Sequence, residues 1–505
     1  MTQDYQRPFI RFRSIAMTSI PRRSLLAGMA ATGFGALAQS AEGPQPAEPR
    51  TSDAPLADRL AAYAERLSYR DIDAATLEAV KVLVVDSFGC AIAAFDERPV
   101  RICREIATAA GGGSSTIIGT PRRSTPDLAA FANAAAIRYY DLNDVYVSRQ
   151  ASHPSDTIAA CFAIAESEKA STKDLVTAIV LAYEIECRLV DAFDLSARRF
   201  DATVFTLPAV ALAAGKLMKL DREKLTQAVN IAVNDHVPLA QTRTQTLSDW
   251  KGIADANAVR NGVFAAMLAR GGLTGPAPIF EGHSGFFQSV TKPVTIDVDG
   301  FGGAGVPFRI RSVGLKAYPS QVYTQTAIVA ATAVAQDVGH LDRVASIDIA
   351  TTSRGYVMAG SEPEKWAPDT RDTADHSLPY IVARAMFDGD ITNESYAPEK
   401  LRDPKILAFM KKIAVKENPA FATPRGNAPS TRIAVKLDDG RQFVRQVDDM
   451  PGFPGKPMER ADAERKFRGN VARHWPMERV RAVLDALWAL EAADDIAGLL
   501  GKLMV

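Results

Sequence analysis

Cysteine and histidine are scarce in this chain of 505 residues, which carries four of the first and six of the second. The cysteines, Cys90, Cys103, Cys161 and Cys187, sit inside apolar helical patterns and never at the short spacings that hold zinc or an iron–sulfur cluster. That predicts buried packing thiols and argues against a zinc or iron–sulfur site. Net charge is missing too: 59 basic residues balance 59 acidic ones, so no bulk attraction draws the chain to nucleic acid. No apolar run makes a convincing membrane span, since the candidate at Ala27–Ala38 is short and rich in glycine and alanine. Internal repeats and coiled-coil heptads are absent.

What is present begins with a leader. Arg22-Arg23, inside Ser19–Leu26, resembles a twin-arginine motif. It is followed by the mildly apolar Ala27–Ala38, the small residues Ala36-Leu37-Ala38 and a Pro/Glu-rich linker over Gly43–Arg50. This predicts export to the periplasm, with Met17 as an alternative start. The chain is long enough for two or three domains, and 47% hydrophobic with 23% charged residues is ordinary for a soluble globular protein.

From residue 56 to about 285 the apolar spacing is helical almost throughout. Leu60, Tyr63, Ala64 and Leu67 open it, and alanine-rich runs over Val176–Ala192, Phe205–Met218, Leu225–Val233 and Ala254–Ala269 continue it. Alanine at facing positions lets helices approach closely, as in a compact bundle. After Gly302 the texture changes. Phe308–Val313 reads as a strand, Ser320–Ala335 as a helix, and Val344–Ala350 as a strand, while Thr431–Leu437 and Arg441–Val447 flank an Asp-Gly turn as a hairpin. Helical texture returns from Asp462 and ends in Val480–Leu503. The expected divisions are a leader and linker over 1–50, a helical domain over 51–305, an α+β part over 306–458 and terminal helices over 459–505.

Between two alanine-rich helical patterns lies a concentrated polar stretch, Asp141-Leu142-Asn143-Asp144 and then His153-Pro154-Ser155-Asp156. Burying such groups without partners is costly, so they face water or line a cavity. Pro154 places His153 at the entrance to the helix starting at Asp156, where free backbone N–H groups favour an anion. The stretch reads equally as a proton-transfer site for an acidic substrate or as a Ser155/Asp156 helix cap with a polar loop.

Those two motifs resemble the signature of the MmgE/PrpD family. The resemblance continues in Gln241-Thr242-Arg243, Ser248-Asp249-Trp250-Lys251-Gly252 and Asn257-Ala258-Val259-Arg260-Asn261-Gly262. Gly275-Pro276, Phe280-Glu281-Gly282, Leu315-Lys316-Ala317-Tyr318-Pro319, Asp375-His376-Ser377 and the Lys466-Phe467 helix complete it, in family order from about residue 55 to the end. It implies a mainly α fold: a large all-helical domain, rejoined by the last helices, with an inserted α+β lid domain. It also implies a homodimer acting without a cofactor on a small polycarboxylate.

On that resemblance His153 is the first candidate for proton transfer. Asp141, Asn143 and Asp144 precede it by 12, 10 and 9 positions, a spacing closer to the dehydratase branch of the family than to the decarboxylase branch. Like charges cannot all ionise beside a polycarboxylate, so at least one acid holds a proton or orients His153. Lys251 and Lys316 are candidate carboxylate binders, with Arg243 and Arg260 in second rank. Tyr318 is a candidate hydrogen-bond donor to an enolate-like intermediate. His376 and His283 read either as substrate contacts or as capping and loop residues. Three positions depart from the family: Val145 replaces a common threonine, Gln321 stands where decarboxylase-like relatives have histidine, and Phe200-Asp201-Ala202 lacks another. The expected activity is a hydro-lyase removing water from a 2-methylcitrate-like di- or tricarboxylate. The alternatives are an isomerase or epimerase, a decarboxylase, or a periplasmic carboxylate-binding protein without catalysis.

Overall fold

Alanine-rich bodies, and at three starts a polar side-chain cap, shape the helices of the first half. The computed structural model describes residues 54–195, 198–422, 427–493 and 495–505, so the twin-arginine-type leader and its linker lie outside the described residues. The first helices are α1 (Leu56–Arg66), α2 (Ala74–Ala93), α3 (Arg98–Ala110), α4 (Pro126–Arg138), α5 (Asp156–Ser167), α6 (Thr172–Ala192), α7 (Thr206–Leu217), α8 (Arg222–Asp235) and α9 (Ala254–Arg270). Asp73, Ser171 and Asp221 cap α2, α6 and α8, each side chain accepting from a first-turn backbone N–H. Alanine-rich α4 packs on α5 and α9, and α9 packs on α7. All four cysteines are free and buried among these helices.

The main apolar core draws side chains from residues 56–315 and again from 463–503. After the short α10 (Phe286–Ser289), a second core forms within residues 327–437. Here α11 (Gln325–Val338) covers strands of a four-stranded sheet, described below. The crossover inside that sheet carries α12 (Ser353–Ala359), α13 (Arg371–Ala374), α14 (Leu378–Asp388), α15 (Pro398–Leu401) and α16 (Pro404–Met410). The chain ends in α17 (Arg460–Val471), α18 (Met477–Trp488) and α19 (Ile496–Gly501). Helix α17 returns to α2, and Lys466 Nζ lies 2.6 Å from Asp86 Oδ1 while donating to the Leu142 carbonyl at 2.7 Å.

Strands are few, so the fold is mainly α. A two-residue pair, β1 (Ser115–Thr116) and β2 (Arg123–Ser124), lies before α4. Next come β3 (Asp144–Val147), β4 (Ala151–Ser152) and β5 (Gly314–Leu315), in the order β4-β3-β5 and antiparallel throughout. Tyr146 pairs with Ser152 and Asp144 with Leu315, so this small sheet brings His153, Asp144 and Lys316 to one place. The larger sheet has the order β7-β6-β8-β9, from β6 (Val344–Thr351), β7 (Ile413–Glu417), β8 (Thr431–Leu437) and β9 (Gln442–Val447). Strand β6 runs parallel to β7, as the helical crossover requires, and antiparallel to β8. Gly440 takes φ +86° in the predicted hairpin turn.

Several local expectations fail for physical reasons. The strand expected over residues 308–313 is instead a 3₁₀ turn over Arg309–Ser312. Glu184 accepts from Arg309 N at 2.6 Å and Asp191 from Arg309 Nε at 3.0 Å, so tertiary bonds hold the turn. The helix expected from Ser320 starts at Gln325, because the Gln321 side chain accepts from Tyr323 N and caps a 3₁₀ turn first. The run Val480–Leu503 is two helices separated by a 3₁₀ turn over Leu490–Ala492, the second capped by Asp495. Two short strand pairs, β1–β2 and β3–β4, fall within the region expected to be helical almost throughout.

Gly262 in α9 shows how tight the bundle is. An added Cβ would sit 2.7 Å from Val210 Cβ and 3.0 Å from the Leu207 carbonyl, both on α7. Gly262→Ala is therefore expected to destabilise the protein by about 1–3 kcal/mol, read by urea denaturation. A variant as stable as the wild type would show that α7 and α9 can separate at no cost.

Candidate active site

The turn after α4 brings the first charges together. Arg138 ends that helix, and Asp141 follows with a left-handed backbone, φ +53°. Aspartate tolerates that region better than bulky residues. Arg138 Nη1 donates to Asp141 Oδ1 at 2.6 Å. Lys316 Nζ donates to the same oxygen at 2.5 Å and to the Asp141 carbonyl at 2.9 Å. Lys251 Nζ stands 3.5 Å from Oδ2. Asp375, between α13 and α14, accepts from Lys251 Nζ at 2.8 Å and from Arg371 Nη1 at 3.2 Å. Arg138, Lys251, Lys316 and Arg371 thus converge on two carboxylates.

Their electrostatics follow from burial and proximity. Burial alone would raise the Asp141 carboxyl, but Arg138, Lys251 and Lys316 hold it well below the usual carboxylate range. Burial brings the Lys316 ammonium down to about 8, with Asp141 opposing and Arg138 assisting.

Two imidazoles face this centre. His153 Nδ1 lies 2.6 Å from the Asp144 carbonyl, which can only accept, so that bond assigns the proton to Nδ1 and the lone pair to Nε2. His376 Nδ1 lies 2.6 Å from Asp375 Oδ1, with the same consequence. His153 Nε2 is 3.9 Å from Asp141 Oδ1, and His376 Nε2 is 4.0 Å from Oδ2. Those gaps are too wide for hydrogen bonds and leave both lone pairs available. Burial, with Arg138 and Lys316 nearby, holds His153 well below an ordinary imidazole, and burial with Lys251 brings His376 to about 4. Both are therefore neutral bases near pH 7.

The floor so formed belongs to a cavity of about 850 Å³. Asp141, His153, Lys316, His376 and Arg243 line it. Arg243 has little left for a ligand, since it donates to Asp201 Oδ2, Asp255 Oδ2 and the Lys251 carbonyl, each at 2.8 Å. Lys251, Asn143 and Asp144 are buried outside the lining. Asp144 accepts from Ser155 N at 3.1 Å and Tyr183 Oη at 2.9 Å, and burial raises it to about 6 against those bonds. Asn143 Nδ2 donates to Ser155 Oγ at 2.9 Å. The Ser155 side chain thus receives Asn143 and does not cap α5.

Three further candidates lie away from both the cavity lining and the charged cluster behind it. Tyr318 packs on the second core, Arg260 stands 3.7 Å from Asp127, and His283 is exposed. Conversely, Arg138 was missed, although an arginine closing an alanine-rich helix three residues before Asp141 is a readable signal. Ser152 and Glu186 were missed too. Ser152 lines the cavity and donates to buried Glu186 Oε1 at 2.5 Å, and burial raises the Glu186 carboxyl to about 8. Two of the departures noted above, Gln321 and Ala202, line the cavity, whereas Val145 packs in a small separate core.

Asp141, Asp375 and His376 bring one ligand atom each within 4.8 Å of one another, a grouping able to hold a cation. Lys316, Arg138, Lys251 and Arg371 already stand at those carboxylates, so an ion there would meet four positive charges at short range.

Residues 58–299 match the family model for the MmgE/PrpD N-terminal domain, and residues 318–490 match that for the MmgE/PrpD C-terminal domain. The chain is 28% identical over 405 residues to cis-aconitate decarboxylase of Homo sapiens, covering 76% of this chain and 80% of that protein. It is 27% identical over 435 residues to 2-methylcitrate dehydratase of Salmonella typhimurium, covering 80% and 87%. A cis-aconitate decarboxylase-like protein of Aspergillus oryzae is 25% identical over 483 residues, covering 89% and 97%.

The Glu186 carboxyl makes stability depend on pH with a definite sign. The unfolded chain releases this proton near the ordinary 4.5, whereas the folded protein holds it to about 8. Its contribution is therefore complete below the lower value and is lost as pH rises through that window. Glu186→Gln should lose less melting temperature than the wild type between pH 5 and pH 8. Equal slopes in differential scanning calorimetry would remove Glu186 from this account.

Proposed function

We propose, from the premise that this chain belongs to the MmgE/PrpD family, that it is a lyase removing water from a small di- or tricarboxylate. The observation that carries the reading is the pair of neutral imidazoles, His153 and His376, whose free Nε2 atoms flank a carboxylate held by Lys316, Arg138 and Lys251. A proton next to a carboxylate is weakly acidic, and its removal builds negative charge on the carboxylate oxygens. Lys316 and Arg138, both in the cavity lining, are placed to hold that charge. His153 Nε2 takes the proton, the carbon–oxygen bond breaks, and the Lys316 ammonium supplies the proton with which hydroxide leaves as water. Asp144 and Asn143 fix the loop that presents His153. Closure of the α+β part over the cavity would exclude water during this step.

Decarboxylation is the second reading, favoured by the decarboxylase relatives, which match at an identity similar to that of the dehydratase. Gln321 in the cavity lining counts against it, because it stands where decarboxylase-like relatives are expected to carry histidine; the further family histidine missing around Ala202 counts against decarboxylation and against ordinary 2-methylcitrate dehydration alike. Proton NMR of the purified protein with di- and tricarboxylates in deuterated buffer tests both. New vinyl signals are expected, reduced about a hundredfold or more in rate by His153→Ala. Loss of carbon dioxide would select decarboxylation, deuterium exchange without net reaction would select isomerisation, and unchanged turnover in His153→Ala would remove His153 as the base.

The pH profile offers an independent check. Neutral imidazoles persist down to low pH, since His376 gains its proton only near about 4, while Lys316 loses its charge near about 8. The rate constant kcat/KM should therefore hold between those values and fall on the alkaline side near pH 8. Lys316→Arg keeps the charge but does not release a proton, so it should lose most of the rate, and the turnover that remains should show its alkaline fall at higher pH. An alkaline limb that stays in place in an active Lys316→Arg enzyme would assign it to another group.

A further inference from the structure

The charged floor accounts for one end of the cavity only. At about 850 Å³ the space is several times what a tricarboxylate of citrate's size fills, and it lies toward the large end of small-molecule sites. Among polar side chains such as Gln241, Thr244, Gln321 and Ser353, the rest of the wall carries an apolar strip of Phe200, Leu239, Val357 and Met358, backed by the buried Leu195 and Val322. Leu239 is 62% exposed and Val357 57% exposed, among the most exposed large apolar residues described. Single exposed apolar side chains are ordinary, but two that share a cavity with four further apolar neighbours form a surface that gains from being covered. Arg354 is paired with Asp194 at 3.2 Å, and Arg199 and Glu362 have opposite signs, so the far end offers no one-sided attraction for a second anionic group.

We propose that the substrate is a tricarboxylate bearing a linear alkyl chain several carbons longer than methyl, with its head group on the charged floor and its chain along the wall containing Leu239 and Val357. The assignment of the head group rests on the lyase reading above; the chain rests on the wall. Burying each methylene against such a wall should strengthen binding about fourfold.

Isothermal titration calorimetry of the full protein with 2-alkylcitrates carrying methyl, butyl, hexyl and octyl chains tests this. The dissociation constant is expected to fall about fourfold per methylene from methyl to about hexyl. Hexanoate and octanoate, which keep the tail and lack the head, should bind at least a hundredfold more weakly than the matching alkylcitrate. Val357→Asp should flatten the dependence on chain length, and Val357→Leu should retain it. An affinity that is flat, falls with chain length or is unmeasurable along the series overturns the proposal. So does an alkanoate that binds as tightly as the alkylcitrate, or an unchanged slope in Val357→Asp. Turnover followed by NMR in the same samples separates the two readings. Tightening affinity without turnover upholds the alkyl-chain inference and sinks the lyase; turnover of the methyl compound with flat affinity does the reverse.

Discussion

A buried carboxylate, that of Asp141, is the constraint around which the site is organised. Out of water, a lone charge of either sign is strongly unfavourable, and each of Arg138, Lys251 and Lys316 would share that penalty if Asp141 were absent. Their mutual attraction makes the cluster tolerable, and it succeeds only if all four groups arrive in register. Arg138 comes from the end of α4, Asp141 from a left-handed residue just beyond, Lys251 from the turn before α9 and Lys316 from the end of β5. The helical bundle and the small β4-β3-β5 sheet therefore share a common task. An acidic ligand entering the cavity meets cations already desolvated, which strengthens each contact it makes.

The imidazoles illustrate how indirectly this arrangement is specified. His153 is aimed by the backbone carbonyl of Asp144, whose own side chain is tied to Tyr183 and Ser155. His376 is aimed by Asp375, which in turn is held by Lys251 and Arg371. In each case an oxygen acceptor fixes the proton on Nδ1 and leaves Nε2 with its lone pair. The two halves meet across Asp141 without touching it.

Much of this was legible in the sequence, unevenly. Long alanine-rich helices read well because their periodicity is strong, and the Thr431–Val447 hairpin read well because Asp-Gly turns are specific. Shorter pieces failed where tertiary bonds override local preference, as at Arg309–Ser312, which Glu184 and Asp191 hold in a turn. Among candidate site residues, Asp141, His153, Lys316 and His376 span more than two hundred positions. Only the family resemblance suggested that they belong together, and the structure gathers them at one cavity floor. The same resemblance drew attention to Tyr318, Arg260 and His283, which lie outside it. Arg138 and Glu186 were overlooked because buried charges inside helices look like surface residues until their partners are known.

Helix α17 adds a temporal dimension. Lys466 ties the Leu142 carbonyl, at the heart of the site loop, to Asp86 on α2. A ribosome makes the chain from its amino end, so the loop bearing Asp141 exists for some three hundred residues of synthesis before its anchor emerges. Until then the loop lacks the tie that joins it to α2. Order in that loop thus waits on a side chain about 320 positions downstream, which makes a single lysine the long-range latch of the cavity floor.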